Sequence, residues 1–240
     1  MWQKDAADKM SSLLSELLKI DKIIIGGSLN NPAELDKYSD VDMEVLLSDN
    51  APINIKTVLS AISKNFTTIF GYEIISHSRK DAIRICCENG MRFDLIFRYP
   101  TDKKPKKEDD SFASKIDAVV NQFWFFASMI LLKLGRKDNL IAAHLAFELC
   151  QLIIVIQMLQ RDDAKGTNIH RFGDGEQVAV LHHSPKGFHH PILTCKTANE
   201  ILSVLFSAAA HMDEILDTLN LGYDEKSDAL NKMAENLLNG

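Results

Sequence analysis

A short apolar run that stops at two glycines constrains this chain most, because a strand with alternating carboxylates follows soon after it. Residues 22–25, Lys-Ile-Ile-Ile, predict a buried strand that enters a turn at Gly27 and Ser28. Glycine lets backbone approach a ligand closely, and a serine hydroxyl beside backbone N–H groups can donate to phosphate oxygens. A Gly-Gly-Ser turn alone is common, so its interpretation depends on the residues that follow.

Those residues predict a strand with an acidic face. The segment 41–47 alternates polar and apolar residues before it becomes fully apolar. With a strand's period of two, Asp40, Asp42 and Glu44 share one face. Carboxylates so close repel each other unless a cation lies between them, and Mg²⁺ prefers hard oxygen ligands. The alternative is the solvated face of an edge strand.

A third carboxylate occurs further along the chain. Residues 82–87 and 91–97 predict two strands joined by the turn Glu88-Asn89-Gly90. Asp94 lies between apolar residues of the second strand, where a carboxylate is either paired, exposed by alternation or a metal ligand. With Asp40 and Asp42 upstream, we interpret Asp94 as a metal ligand.

Together these residues resemble a known family, the polymerase-β-like nucleotidyltransferases. The family pattern is a Gly-Ser turn, an Asp-x-Asp strand and a third acidic residue on a later strand, which match Gly27-Ser28, Asp40-Val41-Asp42 and Asp94. Within it, the chain is similar to antibiotic nucleotidyltransferases, the streptomycin (aminoglycoside 6-) adenylyltransferases and the lincosamide nucleotidyltransferases, over roughly residues 20 to 160. The resemblance implies an α+β fold: a mixed sheet with flanking helices, then an α-helical bundle.

The same resemblance implies a reaction. Mg²⁺ held by Asp40, Asp42 and Asp94 would act on ATP or another nucleoside triphosphate, with Gly27 and Ser28 at its outer phosphates. AMP would pass to a hydroxyl of a small antibiotic, an aminoglycoside or a lincosamide, and pyrophosphate would leave. Two alternatives stay open: an enzyme that modifies a protein or RNA, and a catalytically silent regulator that binds nucleotide.

The acceptor hydroxyl needs a proton acceptor, for which the sequence offers two candidates. Glu148 recurs with His144 and Gln151 at helical spacing in an otherwise apolar helix, which indicates either a site or contacts with neighbouring helices. Asp94 could serve instead, since a metal-site carboxylate can accept a proton. Lys133 is a candidate phosphate ligand, although a basic residue near a helix end commonly caps it.

A charged, proline-containing stretch from residue 99 to residue 110 predicts a boundary between domains 1–105 and 106–240. Its basic run, 103–107, is interpreted as a solvated linker, with contact to nucleotide or RNA as the alternative. The four histidines His182, His183, His189 and His190 lack a nearby cysteine or carboxylate, which disfavours a transition-metal site. Beyond the boundary the apolar pattern predicts helices over roughly 112–135, 138–161, 196–220 and 224–238.

Composition narrows the class of partner. The chain has 240 residues, and 27 Lys and Arg against 33 Asp and Glu give a net charge of -6. That balance disfavours broad nucleic-acid binding and suits a cationic acceptor. Polar residues interrupt every apolar stretch near the N-terminus, so we expect a cytoplasmic protein with no membrane segment. Related enzymes include both monomers and dimers, which leaves a homodimer open. The four cysteines lack the paired spacing of a zinc site and are interpreted as buried thiols.

Overall fold

The computed structural model describes residues 2–31, 33–102, 111–166 and 197–238. The chain divides into two compact units, Met1–Glu108 and Asp109–Gly240, and each is described by itself. The division falls among residues 103–110, outside the described residues, so the boundary between 105 and 106 stays a prediction. The basic run 103–107 and the four histidines also lie outside the described residues.

The first unit is an α+β layer structure. It contains α1 (Trp2–Leu17), β1 (Ile20–Ile25), a 3₁₀ turn (Gly27–Asn30), β2 (Val41–Leu47), α2 (Ile55–Asn65), β3 (Ile69–Ser76), β4 (Lys80–Cys87) and β5 (Arg92–Arg98). The strands form one five-stranded sheet in the order β1-β2-β5-β4-β3. Strands β3, β4 and β5 make an antiparallel meander, which returns the chain so that β5 lies parallel to β2.

Alternation along the central strands gives the sheet one apolar and one polar face. On the apolar face Val41, Met43, Phe93 and Leu95 are almost fully buried, and α1 packs there through residues spaced three and four apart, such as Met10. Helix α2 begins where the Asn54 side chain accepts a hydrogen bond from the Thr57 backbone N–H. The other face carries the acidic residues, whose side chains are half-buried.

The four predicted strands are confirmed with their ends within two residues of the prediction, and β1 and β4 each begin two residues earlier than predicted. The hairpin turn is also confirmed, and Gly90 has the positive φ of 82° that such a turn requires. Helices α1 and α2 and strand β3 were not predicted from the sequence. The predicted mixed sheet with flanking helices, followed by a helical region, is confirmed.

The second unit is helical in its described part. Its helices are α3 (Phe112–Gly135), α4 (Asn139–Lys165), α5 (Ala198–Leu219) and α6 (Ser227–Leu238), which confirms four predicted helices. Each of the first three begins at a side-chain N-cap: Ser111, Asp138 and Thr197. Trp124 is fully buried in α3, as predicted for a core residue rather than a platform for a base.

Two of these helices, α3 and α4, are long and apolar enough to cross a membrane by length and composition. In α3, 61% of the most apolar window is buried within the structure, as in the core helix of a soluble protein, whereas in α4 the share is 33%. Leu140, Phe147 and Ile154 of α4 are exposed. Cys86, Cys87 and Cys150 are buried, as predicted, and Cys195 lies outside the described residues.

Candidate active site

The Gly-Ser turn after β1 lies directly against the acidic strand. Gly27 has a φ of 60°, and a Cβ at this position would lie 1.8 Å from Oδ2 of Asp42, so only glycine fits. The Gly26 backbone N–H donates to the Asp42 carbonyl at 2.9 Å. The hydroxyl of Ser28 is buried and has no hydrogen-bond partner among the described residues. An orphaned donor beside a carboxylate is costly unless a ligand satisfies it.

The residues before β2 are held in place from two sides. Gln3 of α1 is fully buried, and its Nε2 donates to the carbonyl oxygens of Asp36 and Ser39 at 2.7 and 3.3 Å. From β5, Nη2 of Arg92 donates to the Tyr38 carbonyl at 2.9 Å and lies 3.2 Å from Oδ2 of Asp40. Arg92 therefore fixes both the backbone before β2 and the first carboxylate of the site.

Three carboxylates converge at the edge of this turn. Asp40, Asp42 and Asp94 each offer an oxygen, and these oxygens lie within 4.8 Å of one another, close enough to bind one metal ion. Parallel pairing of β2 with β5 sets Asp42 directly opposite Asp94, and Asp40 lies just before β2. The structure thus brings the three predicted metal ligands together beside Gly27 and Ser28.

The electrostatics of this group are those of crowded carboxylates. Burial, with repulsion from Asp40 and Asp94, raises the pKa of Asp42 from 3.8 to about 6. Burial also raises the pKa of Asp94, and the opposing charge of Arg84 does not cancel the effect. Crowding of this kind favours a bound cation, which removes the repulsion without protonating the ligands.

Sequence analysis missed the partners of the third carboxylate. Arg84 of β4 donates through Nε to Oδ2 of Asp94 at 3.2 Å, and its Nη1 lies 3.4 Å from Oε2 of Glu73 on β3. Burial lowers the pKa of Arg84, but the charges and hydrogen bonds of Asp94 and Glu73 outweigh burial and leave it raised. Only the strand register could have revealed these pairs, since Arg84 and Asp94 are ten residues apart.

The remaining candidates belong to the helical unit. Glu148 is half-buried on α4, while His144 and Gln151 of the same stripe are exposed. Lys133 is half-buried in the last turn of α3, which ends at Gly135. Glu148 as a general base and Lys133 as a phosphate ligand stay predictions.

The sheet, its turn and its carboxylates have the pattern expected of the polymerase-β-like nucleotidyltransferases. The fold that the resemblance implied, a mixed sheet with flanking helices and a helical region, is confirmed. No protein-family model matches the chain. No curated protein matches it.

Several solved structures are similar to the chain over most of its length. An aminoglycoside 6-adenyltransferase from Bacillus subtilis is 14% identical, with 96% of this chain and 95% of that one covered and a TM-score of 0.36. The polymerase core of TRAMP, an RNA surveillance complex, is 15% identical, with coverages of 92% and 58% and a TM-score of 0.30. A STING-associated CdnE c-di-GMP synthase from Capnocytophaga granulosa is 11% identical, with coverages of 98% and 78% and a TM-score of 0.29. At such low sequence identities and TM-scores, these similarities do not add support to the interpretation of the sheet and its carboxylates.

Proposed function

We propose that this chain is a Mg²⁺-dependent nucleotidyltransferase that transfers AMP from ATP to a hydroxyl of a small molecule and releases pyrophosphate. One observation carries the proposal: three carboxylates that can share one cation lie beside a turn with a buried, unpartnered serine hydroxyl. A solvated edge-strand face would have neither the convergence nor the orphaned donor.

The donor set fits the proposed metal. Asp40, Asp42 and Asp94 supply only carboxylate oxygens, which Mg²⁺ prefers over nitrogen or sulfur, and Mg²⁺ usually binds through one or two carboxylates together with substrate phosphates. A bound Mg²⁺ would neutralise the charge that develops on the transferred phosphate. Arg92 holds Asp40 in place for this purpose, and the Gly26 N–H fixes the backbone of Asp42.

The turn is the proposed site for the outer phosphates. The Ser28 hydroxyl would donate to a phosphate oxygen, which satisfies its unused hydrogen-bonding capacity. Gly27 leaves room for that approach, because no side chain projects between the turn and Asp42. Lys133 is proposed as a further phosphate ligand, and either Glu148 or Asp94 as the base that accepts the proton of the attacking hydroxyl.

The acceptor is proposed to be a cationic, hydroxyl-bearing antibiotic of the aminoglycoside type, with a lincosamide as the second choice. The resemblance of the sequence to the antibiotic nucleotidyltransferases supports this, as does the net charge of -6, which attracts ammonium groups. We propose a cytoplasmic enzyme, because the site requires cellular nucleoside triphosphate. The burial of 61% of the most apolar window of α3 supports a soluble chain.

The test is pyrophosphate release from ATP and Mg²⁺ across a panel of aminoglycosides and lincosamides. Asp42→Asn should abolish acceptor-dependent release, because it removes a metal ligand. Glu44→Gln is the matched control: Glu44 lies on the same strand and face but outside the three-carboxylate group, and it pairs with Arg98. Equal losses in both variants would refute the assignment of the site.

Labelling with α-³²P-ATP separates the acceptor classes. Label that appears only on an added small molecule supports the proposal. Label on protein or RNA in a cell extract, with none on the antibiotics, would show that the acceptor is a macromolecule, while the proposed transfer of AMP would stand. Absence of turnover with every nucleotide and acceptor would indicate a silent regulator instead.

A further inference from the structure

One row of charged side chains crosses four strands of the sheet. The register sets Glu73 of β3 opposite Arg84 of β4, Arg84 opposite Asp94 of β5, and Asp94 opposite Asp42 of β2. Directly opposite residues project from the same face with Cβ atoms about 5 Å apart, so each neighbour can contact the next. Arg84 is the one cation in this row, and it stands between Glu73 and the carboxylate group.

Arg84 is shared between the two carboxylates that flank it. Its Nε donates to Asp94, and a different nitrogen, Nη1, contacts Glu73, so both contacts exist together. The Arg84 side chain is 37% exposed, whereas those of Glu73 and Asp94 are 15% and 23% exposed. A guanidinium that is partly withdrawn from water is stabilised by its counter-ions, and removal of one carboxylate leaves its charge less compensated than removal of that carboxylate together with the guanidinium.

A cation at the carboxylate group changes this balance. It competes with Arg84 for Asp94, and two positive charges at this spacing repel each other. Glu73 lies on the side of Arg84 that faces away from Asp42, so it can hold the guanidinium while Asp94 turns to a metal. Hydrogen-bonding partners behind a metal ligand commonly set its affinity in this way.

We propose that Glu73 is a positioning residue that retains Arg84 when a cation binds Asp94, so that the guanidinium neither opposes the cation nor loses its counter-ion. The proposal rests on the proposed function, since it requires a cation at Asp40, Asp42 and Asp94. Glu73 touches neither metal nor nucleotide in this account and acts only through Arg84.

The test measures Mn²⁺ affinity of the whole chain, from the electron paramagnetic resonance signal of free Mn²⁺, without and with ATP. Glu73→Gln should weaken Mn²⁺ binding about tenfold, the lower end of the effect expected for such a partner. The double variant Glu73→Gln/Arg84→Gln should recover affinity toward that of the native chain, because the uncompensated charge is gone. A merely structural role predicts the reverse, since two independent losses would add.

Three further variants serve as controls for this interpretation. Asp102→Asn is the matched control, because it also removes the carboxylate partner of an arginine, Arg79, on an exposed part of the same unit. It should leave Mn²⁺ affinity unchanged. Glu73→Asp keeps the charge and should keep most of the Mn²⁺ affinity. If Glu73→Gln does not fold, Glu73→Thr removes the same charge with a residue that is favoured in strands.

The outcomes separate this proposal from the proposed function. A tenfold loss with recovery in the double variant supports the role of Glu73. Unchanged affinity in Glu73→Gln, or a double variant weaker than the single one, overturns that role even if Asp42→Asn abolishes Mn²⁺ binding, in which case the cation site stands. No Mn²⁺ binding by the native chain, with or without ATP, overturns both.

Discussion

Asp42→Asn should stabilise the metal-free protein at pH 8 while it abolishes activity. The side chain of Asp42 has a pKa raised from 3.8 to about 6 by burial and by Asp40 and Asp94, so its charged form is disfavoured in the folded state. Asparagine has nearly the same shape and no charge. The repulsion that a cation would relieve is thereby removed permanently.

The magnitude follows from the pKa shift. A rise of roughly two units corresponds to ~3 kcal/mol at 1.36 kcal/mol per unit. Because Asp42 is only half-buried, solvent screening reduces this, and we expect a gain of about 1.5 kcal/mol in the free energy of unfolding. The sign depends on pH: Asp42 costs nothing below pH 3.8, and its penalty develops as pH rises through about 6. The stabilisation should therefore be present at pH 8 and nearly absent at pH 4.

Urea unfolding in EDTA measures this effect, with 5-fluorotryptophan and ¹⁹F NMR as the probe. The chain has two tryptophans, one in each unit: Trp2 packs edge-on against Phe93 of the sheet, and Trp124 lies in α3. Only the Trp2 resonance should report the change. With saturating Mg²⁺ the order of stability should reverse, and the unsubstituted protein should be more stable than Asp42→Asn. Only the unsubstituted protein keeps the proposed metal site, so Mg²⁺ stabilises its folded state alone. A destabilised Asp42→Asn protein in EDTA at pH 8 would show that the carboxylates do not repel as described.

Three other substitutions test separate parts of the site. Ser28→Ala should raise the KM for ATP about tenfold without lowering the thermal stability of the ligand-free protein, since the buried hydroxyl has no partner among the described residues; a loss of stability at constant KM would assign the hydroxyl a structural role. Gly27→Ala should abolish Mn²⁺ binding and destabilise the unit by at least ~1 kcal/mol, because φ is 60° and its Cβ would clash with Asp42; a stable variant that binds Mn²⁺ normally would contradict the turn geometry. Arg92→Met should destabilise by ~3 kcal/mol in chemical unfolding, as expected when one partner of a buried ion pair is removed; a change below ~1 kcal/mol would mean that Arg92 does not anchor Asp40.

The carboxylate group was predictable because its residues are marked by local patterns. Alternation in β2 indicates which side chains share a face, and the Asn-Gly turn before β5 sets the position of Asp94 in its strand. The two aspartates meet because β5 is parallel to β2 with Asp94 opposite Asp42. That pairing follows from the resemblance to a known family rather than from the pattern of either strand.

The arginine partners could not be predicted in the same way. Strand β3 was missed altogether, and a register shift lies between its residues Ile69 and Gly71. A shift of one residue moves every later side chain of a strand to the other face, so the position of Glu73 depends on that irregularity. Helix α4 illustrates the same limit: its apolar composition does not indicate which of its side chains are exposed, because that depends on which neighbours pack against it.

The distribution of arginines on the acidic face supports the proposal of a cation at this site. Arg92 pairs with Asp40, Arg84 with Asp94, and Arg98 with Glu44. Among the residues that the structure describes, Asp42 has no comparable ion pair, and burial together with repulsion from Asp40 and Asp94 raises its pKa to about 6. An arginine thus lies beside Asp40, Asp94 and Glu44 but not beside Asp42, and this is the charge balance expected if the proposed cation binds next to Asp42.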